Sequence, residues 1–296
     1  MIETRTLPGL DAAQRSRIVA LAAGVEALDG AEPLNEAALL RLSSEADQFR
    51  HLLATNAGTL SGYAQLDGRD PTAPTAEVLV GPARRPEVAD ALLSAAEVAG
   101  GTPLLVWARG HSPVGPAAAQ RGYLEQRVML VMSRDLAGAQ DVAVDVPDGI
   151  RLRTFGVGTD EAAWLAVNAR AFAGHPEQGG WTSADLAARM AQDWFDPSGF
   201  LLAEDDEGRL LGYHWTKVHS GPEPVAEVYV LGIDPDGQGR GLGRALLAAG
   251  LRHLATSKAE RVILYLEEAN AAALHLYLDA GFAVTRRDVR LLGPLR

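Results

Sequence analysis

The chain has 296 residues, 47% of them hydrophobic, and 27 basic against 38 acidic side chains give a net charge of −11. That balance argues against a nucleic-acid backbone as partner, which rewards clustered Lys and Arg, and against a basic membrane-surface helix. With no cysteine in the sequence, a disulfide, a thiolate metal site and an acyl-cysteine intermediate are all excluded.

Other classes are disfavoured by pattern. The histidines at 51, 111, 175, 214, 219, 253 and 275 form no His-x-x-x-His pair, so no metal is expected. No Gly-x-Ser-x-Gly elbow is present. No apolar run approaches the ~20 residues that cross a bilayer. The start, MIETRTLPGL, has no apolar signal core. A cytoplasmic protein is expected, with no membrane or nucleic-acid partner.

In chain order, each half reads as helices, a meander of strands, a strand-loop-helix and a closing strand-helix-strand. The halves also match in sequence. Leu52-Leu53-Ala54 repeats as Leu201-Leu202-Ala203, Gly62-Tyr63 as Gly212-Tyr213, Ala76-Glu77-Val78 as Ala226-Glu227-Val228, Ala91-Leu92-Leu93 as Ala245-Leu246-Leu247, and Gly122-Tyr123 as Gly281-Phe282. The offset grows from 149 to 159, as loop insertions in a second copy of one fold would make it. The joint falls near Val144 to Gly149, which is acidic and contains Pro and Gly. Two domains are therefore expected, at 1–144 and 149–296.

In the second half a strand is expected at 150–155 and helices at 162–172 and 183–193, the latter with Ser183 as N-cap. Strands follow at 200–203, 210–218 and 225–233. A helix at 244–255 carries apolar residues at 246, 247, 250, 251 and 254. A strand at 262–266, a helix at 271–280 and one or two strands within 282–292 close the domain.

Between the strand ending at Ile233 and the helix from Arg244 lies Gln238-Gly239-Arg240-Gly241-Leu242-Gly243. A glycine-rich loop running from a strand into a helix N-terminus is an anion cradle, since backbone N–H groups and the helix dipole converge there. The segment lacks the Lys-Ser/Thr of a Walker loop, and its glycines do not have the Gly-x-Gly-x-x-Gly spacing of a dinucleotide fold. Gln-x-x-Gly-x-Gly after a strand resembles the pyrophosphate loop of the GNAT acetyltransferases. The segment from Asn270 to Phe282 resembles that family's second motif, in which an Asn opens a helix and a Tyr precedes x-x-x-Gly-Phe.

The resemblance implies an α/β fold of two tandem GNAT domains, each a mixed central sheet flanked by helices, with acetyl-CoA as co-substrate. It implies cofactor contacts at Leu231, Gly232 and Ile233, at Gln238, Gly239, Arg240, Gly241, Leu242, Gly243 and Arg244, and at Asn270, Ala271, Ala272, Ala273, Leu274 and His275. Acetyl transfer needs a base for the ammonium and an acid for the leaving thiolate. Glu227, beside the cofactor strand, is the candidate base and Tyr277 the candidate acid. A backbone N–H near Val230 or Leu231 is the expected oxyanion donor.

The first copy differs at these positions. At an offset of 154, Gln238, Gly241 and Gly243 fall on Arg84, Glu87 and Ala89, and at 159 Tyr277 falls on Ala118. A copy without cofactor loop or acid is expected to be structural and to shape the substrate cleft.

The segments Phe172 to Thr182 and His214 to His219, with Asp196-Pro197, resemble the mycothiol synthase family within the GNAT enzymes. That family acetylates the cysteinyl amine of desacetylmycothiol, a cysteinyl-glucosaminyl-inositol pseudodisaccharide. The resemblance implies acceptor contacts from Glu36, Glu177, Lys217, Glu227 and Tyr265, with the acceptor between the domains. A direct transfer in a ternary complex and a monomer are expected. The alternatives are a tandem GNAT enzyme for another amine, an aminoglycoside or a peptide N-terminus, and a non-catalytic acetyl-CoA sensor.

Overall fold

The computed structural model describes residues 2–30, 32–44, 46–101, 103–221 and 223–294, with the side chains of Pro176 and Glu177 also outside the description. The elements in chain order are β1 (Ile2–Leu7), α1 (Ala12–Asp29), α2 (Glu36–Leu40), β2 (Phe49–Asn56), β3 (Thr59–Asp67), β4 (Thr75–Val80), α3 (Arg85–Gly100), β5 (Leu105–Ala108), α4 (Val114–Gln120) and β6 (Leu124–Asp135). They continue with β7 (Ile150–Thr154), α5 (Glu161–Ala171), α6 (Pro176–Gly179), α7 (Ser183–Met190), β8 (Phe200–Asp205), β9 (Leu210–His219), β10 (Val225–Ile233), α8 (Leu242–Leu254), β11 (Arg261–Glu267), α9 (Ala271–Asp279) and β12 (Ala283–Leu292).

The chain forms two compact units that are not contiguous in sequence. Unit 1 is Met1–Leu130, Glu267–Ala269 and Arg286–Arg296, and unit 2 is Val131–Leu266 and Asn270–Thr285. The stretch 144–149 lies inside unit 2, where the Ile150 N–H donates to Pro147 O. The C-terminal segment of β12 belongs to unit 1, where Val289 pairs with Ala108 of β5 in an antiparallel ladder.

In unit 1, β1 to β4 form an antiparallel meander and β4 runs parallel to β5. Successive residues alternate between two cores, as the pleat demands. Ala64 and Val78 pack with α3 residues such as Val88, Leu92 and Leu93. Tyr63 and Leu79 pack with Ile18, Ala22 and Val25 of α1.

Unit 2 repeats the plan. β7, β8, β9 and β10 are antiparallel in sequence order, and β10 is parallel to β11. One face packs Ala203 and Leu211 against Leu242 and Leu246 of α8. The other carries an aromatic core in which Trp215 stacks on Phe200 at 4.4 Å and meets Trp164 edge-on at 5.9 Å. The N-cap of α7 lies one residue before the cap expected at Ser183. Thr182 is the N-cap, accepting from Asp185 N–H while Asp185 reaches back to the Thr182 N–H, because Thr-x-x-Asp closes a reciprocal box that Ser183 cannot. No helix among the described residues is long and apolar enough to cross a membrane.

Candidate active site

The site in unit 2 begins with a branch in the sheet. Among the described residues, strands β10 and β11 pair only at Ala226–Val262 and Glu227–Ile263. Beyond Glu227, β10 continues to Ile233 paired with β9 alone. A β-bulge sits at that point, with Val228 opposite Thr216, Val230 opposite Trp215 and Tyr229 the extra residue. Bulges add twist and end regular pairing, so β10 turns away from β11 and leaves its far edge open to an extended ligand arm.

At the end of β10 the Asp234 side chain accepts from Asp236 N–H and starts a single 3₁₀ turn, Pro235–Gly237. The chain then passes through Gly239 (φ 74°) and Gly241 (φ 83°) before α8 begins. Both are left-handed conformations that glycine adopts without strain. The first backbone donors of the helix are Arg244 and Ala245, both to Gly241 O. Among the described residues, the N–H groups from Gly239 to Gly243 have no backbone acceptor. These donors, at the start of a helix of 13 residues, form a site suited to an anionic group such as a phosphate. Arg240 and Arg244 add positive charge at the same loop, Arg244 also pairing with Asp279 at 3.2 Å.

Asn270 caps α9 by accepting from Ala273 N–H, as its position in the motif leads one to expect. Ala271, Ala272, Ala273, Leu274 and His275 form the first turns of that helix. Tyr277 follows, 6% exposed. Among the described residues its hydroxyl has no hydrogen-bond partner. Burial holds its pKa well above the ordinary phenol value, so the proton stays on the oxygen at any working pH.

Glu227 is 6% exposed. Its Oε2 accepts from His219 Nε2–H at 2.6 Å, and among the described residues no hydrogen bond reaches Oε1. Lys217 stands directly opposite Glu227 on β9, so both side chains share one face. Lys217 is 8% exposed and its Nζ lies 4.6 Å from the Trp194 ring centre and 5.1 Å from that of Tyr229. Tyr265 lies two residues beyond Ile263, the partner of Glu227, and so belongs to the same side of the sheet. The structure therefore brings Lys217, Glu227 and Tyr265 to one face of unit 2. Glu177 lies in α6, and its side chain is outside the described residues. Glu36 is the first residue of α2 in unit 1.

The sequence reading assigns no role to His219, Arg189, Tyr229 or Trp194. Arg189 donates to the Tyr229 hydroxyl at 2.9 Å and stacks over Trp181 at 3.8 Å. The spacing of Lys217 and His219, two apart on a strand, was the available signal.

Unit 1 holds the counterpart positions in altered form. Both oxygens of Glu77 are engaged, one by Asn35 Nδ2 and one by Arg109 Nη2, each at 2.7 Å. Arg84 caps α3 in the left-handed region (φ 52°), the conformation that Gly241 adopts at α8. The structural offset at the cap is thus 241 − 84 = 157 rather than the 154 of the sequence match. It sets Pro86, which has no N–H, against Gly243, and acidic Glu87 against Arg244. Tyr123 N–H donates to Ala118 O just as Phe282 N–H donates to Tyr277 O, so Ala118 does occupy the position of Tyr277.

Comparison with known proteins agrees with this architecture. The acetyltransferase (GNAT) family matches residues 166–282. A mycothiol acetyltransferase of Geodermatophilus obscurus is 50% identical over 96% of both chains. Another, of Thermomonospora curvata, is 48% identical over 97% of this chain and 96% of that one. Among solved structures, a tandem GNAT protein from the clavulanic acid biosynthesis pathway covers 100% of both chains with a TM-score of 0.75 at 19% identity. A GCN5-related N-acetyltransferase from Sphaerobacter thermophilus covers 99% of this chain and 96% of that one, with a TM-score of 0.70 at 24% identity.

Proposed function

The chain belongs to the mycothiol acetyltransferase family of GNAT enzymes, and from that premise we propose that it transfers acetyl from acetyl-CoA to the cysteinyl amine of desacetylmycothiol. The observation that carries the chemistry is that, among the described residues, the second copy alone combines a donor-rich glycine loop, a carboxylate with one oxygen unengaged and a buried neutral phenol.

Acetyl-CoA supplies the activated acyl thioester. Backbone N–H groups from Gly239 to Gly243 hold its pyrophosphate, and the open edge of β10 from Val230 to Ile233 aligns the pantetheine arm. Glu227 Oε1 removes one proton from the acceptor ammonium, directly or through one water, which frees the nitrogen lone pair. The N–H of Val230 or Leu231 donates to the carbonyl oxygen as negative charge develops there. The new C–N bond forms as the C–S bond breaks, and Tyr277 gives its proton to the departing thiolate. The second proton of the amine restores the phenol, and Glu227 releases the first to water, so one proton is lost per turnover. No cysteine is needed, and transfer is direct within a ternary complex.

Lys217, Tyr265, Glu36 and Glu177 are proposed acceptor contacts. A pseudodisaccharide rich in hydroxyls and carrying an ammonium group wants carboxylates and a few donors. The first copy is proposed to carry no chemistry. Its carboxylate Glu77 is engaged on both sides, its helix entry has lost a donor at Pro86, and Ala118 replaces the acid.

A panel of amine acceptors tests the reading. Turnover should be far more efficient with desacetylmycothiol than with an aminoglycoside or a peptide N-terminus. Strong turnover of an aminoglycoside alone would sink the proposed acceptor.

A further inference from the structure

We infer that His219 is a positioning residue that orients the Glu227 carboxylate and makes its basicity sensitive to pH. The inference rests on the reading of Glu227 as the base. An ionised carboxylate only accepts hydrogen bonds, so the 2.6 Å contact places a proton on His219 Nε2. The bond holds Oε2 and leaves Oε1 as the oxygen available to an amine. The carboxylate is buried while the imidazole side chain keeps 24% of its exposure, so the ring can exchange protons with water while the carboxylate stays enclosed.

Register explains how the two meet. His219 ends β9 opposite Val225, and Glu227 lies two residues further along β10, opposite Lys217. All four therefore share a face. The titratable and charged groups on that face of the three strands are Tyr213, Lys217 and His219 of β9, Glu227 and Tyr229 of β10 and Arg261, Tyr265 and Glu267 of β11, with Arg189 of α7 hydrogen-bonded to Tyr229. Glu223 lies in the connection between the strands.

Two states of the ring act differently. A neutral ring donates to Oε2 and fixes the carboxylate without removing its charge. A protonated ring converts the contact to an ion pair, which stabilises the carboxylate and makes it a poorer proton acceptor. Imidazoles change state between about pH 5 and 8, so the ring weakens the base on the acid side of neutrality.

The test compares kcat and KM across pH for the parent, His219→Ala, His219→Gln and Glu227→Gln, with acetyl-CoA and desacetylmycothiol. His219→Ala should lower kcat about tenfold, the value of one charge-assisted hydrogen bond, and leave the KM for acetyl-CoA in place. His219→Gln, whose amide can donate but cannot titrate, should recover part of that loss. For both His219 variants the rate relative to the parent should rise as pH falls through the imidazole range. A His219→Ala rate that stays parallel to the parent at every pH, while Glu227→Gln is slow, overturns the role of His219 alone. An unimpaired Glu227→Gln overturns the base assignment and the inference together.

Discussion

The Phe282 N–H donates to the carbonyl of Tyr277 at 3.0 Å, and the two rings meet edge-on with centres 5.7 Å apart. The Gly281 turn (φ 82°) folds Phe282 back under the end of α9, so the tyrosine is held by backbone and ring together. Its hydroxyl is left as the polar end of an otherwise apolar contact. Tyr277→Phe keeps that packing and removes only the proton. The maximal rate should fall about 100-fold, the lower range for a general acid. The acetyl-CoA dissociation constant, measured by calorimetry, should change little. An unchanged kcat would remove Tyr277 from the acid role.

Glu227→Gln should slow the reaction most near neutral pH, where the acceptor amine is mainly protonated, and less at high pH, where solution has already deprotonated it. The ratio of parent to variant kcat/KM therefore falls as pH rises. A ratio constant with pH would mean that Glu227 binds the acceptor rather than taking its proton.

Gly241 carries the left-handed cap of α8 (φ 83°) and its built Cβ would stand 3.8 Å from Pro147 Cγ. The space is adequate, so the cost of Gly241→Ala is conformational, about 1 kcal/mol. Either that strain is carried in the folded state or the loop relaxes. Urea denaturation should record a loss of that size, and the KM for acetyl-CoA should rise because donors aimed at the phosphates move. A variant with parent stability and parent KM would show that the loop conformation is not required.

The pH dependence of stability has a definite sign. His214 is fully buried, donates Nδ1–H to Leu246 O at 2.9 Å, and among the described residues has no partner at Nε2. Burial lowers its pKa from 6.5 to about 4. Burial likewise lowers the pKa of His51, whose Nδ1 contacts the Tyr63 hydroxyl. The unfolded chain therefore binds protons that the native chain refuses. The stability contributed by the neutral ring is full above pH 6.5 and is lost as pH falls toward about 4. Unfolding free energy should drop by about 2 kcal/mol between pH 7 and pH 5 from His214 alone. Replacing His214 by glutamine should flatten that slope. Equal slopes would place the acid sensitivity elsewhere.

Much of the second copy was legible in the sequence because its signals are local. The glycine loop, the Asn270 cap and the alternation on β9 and β10 each sit within a few residues of the feature they specify. The repeat also exposed the altered first copy, although the left-handed cap at Arg84 corrects the alignment there by three positions. A glycine invites that backbone, but Arg84 adopts it at an exposed helix entry, and composition alone does not reveal this. The exchange of the last strand, whose Val289 pairs with Ala108, joins residues 181 positions apart and leaves no local mark. The hydrogen bond between His219 and Glu227 was hidden for a related reason. It depends on the register across the 220–224 connection and on the bulge at Tyr229, both settled by packing.

The most direct measurement is mass spectrometry of desacetylmycothiol incubated with acetyl-CoA and the purified protein, read without thiol dyes because the acceptor carries its own thiol. Gain of one acetyl group on the cysteinyl nitrogen, at a rate that collapses in Glu227→Gln and Tyr277→Phe, is the predicted result. No acetyl gain by the parent protein, with acetyl-CoA binding confirmed, would contradict the proposed reaction.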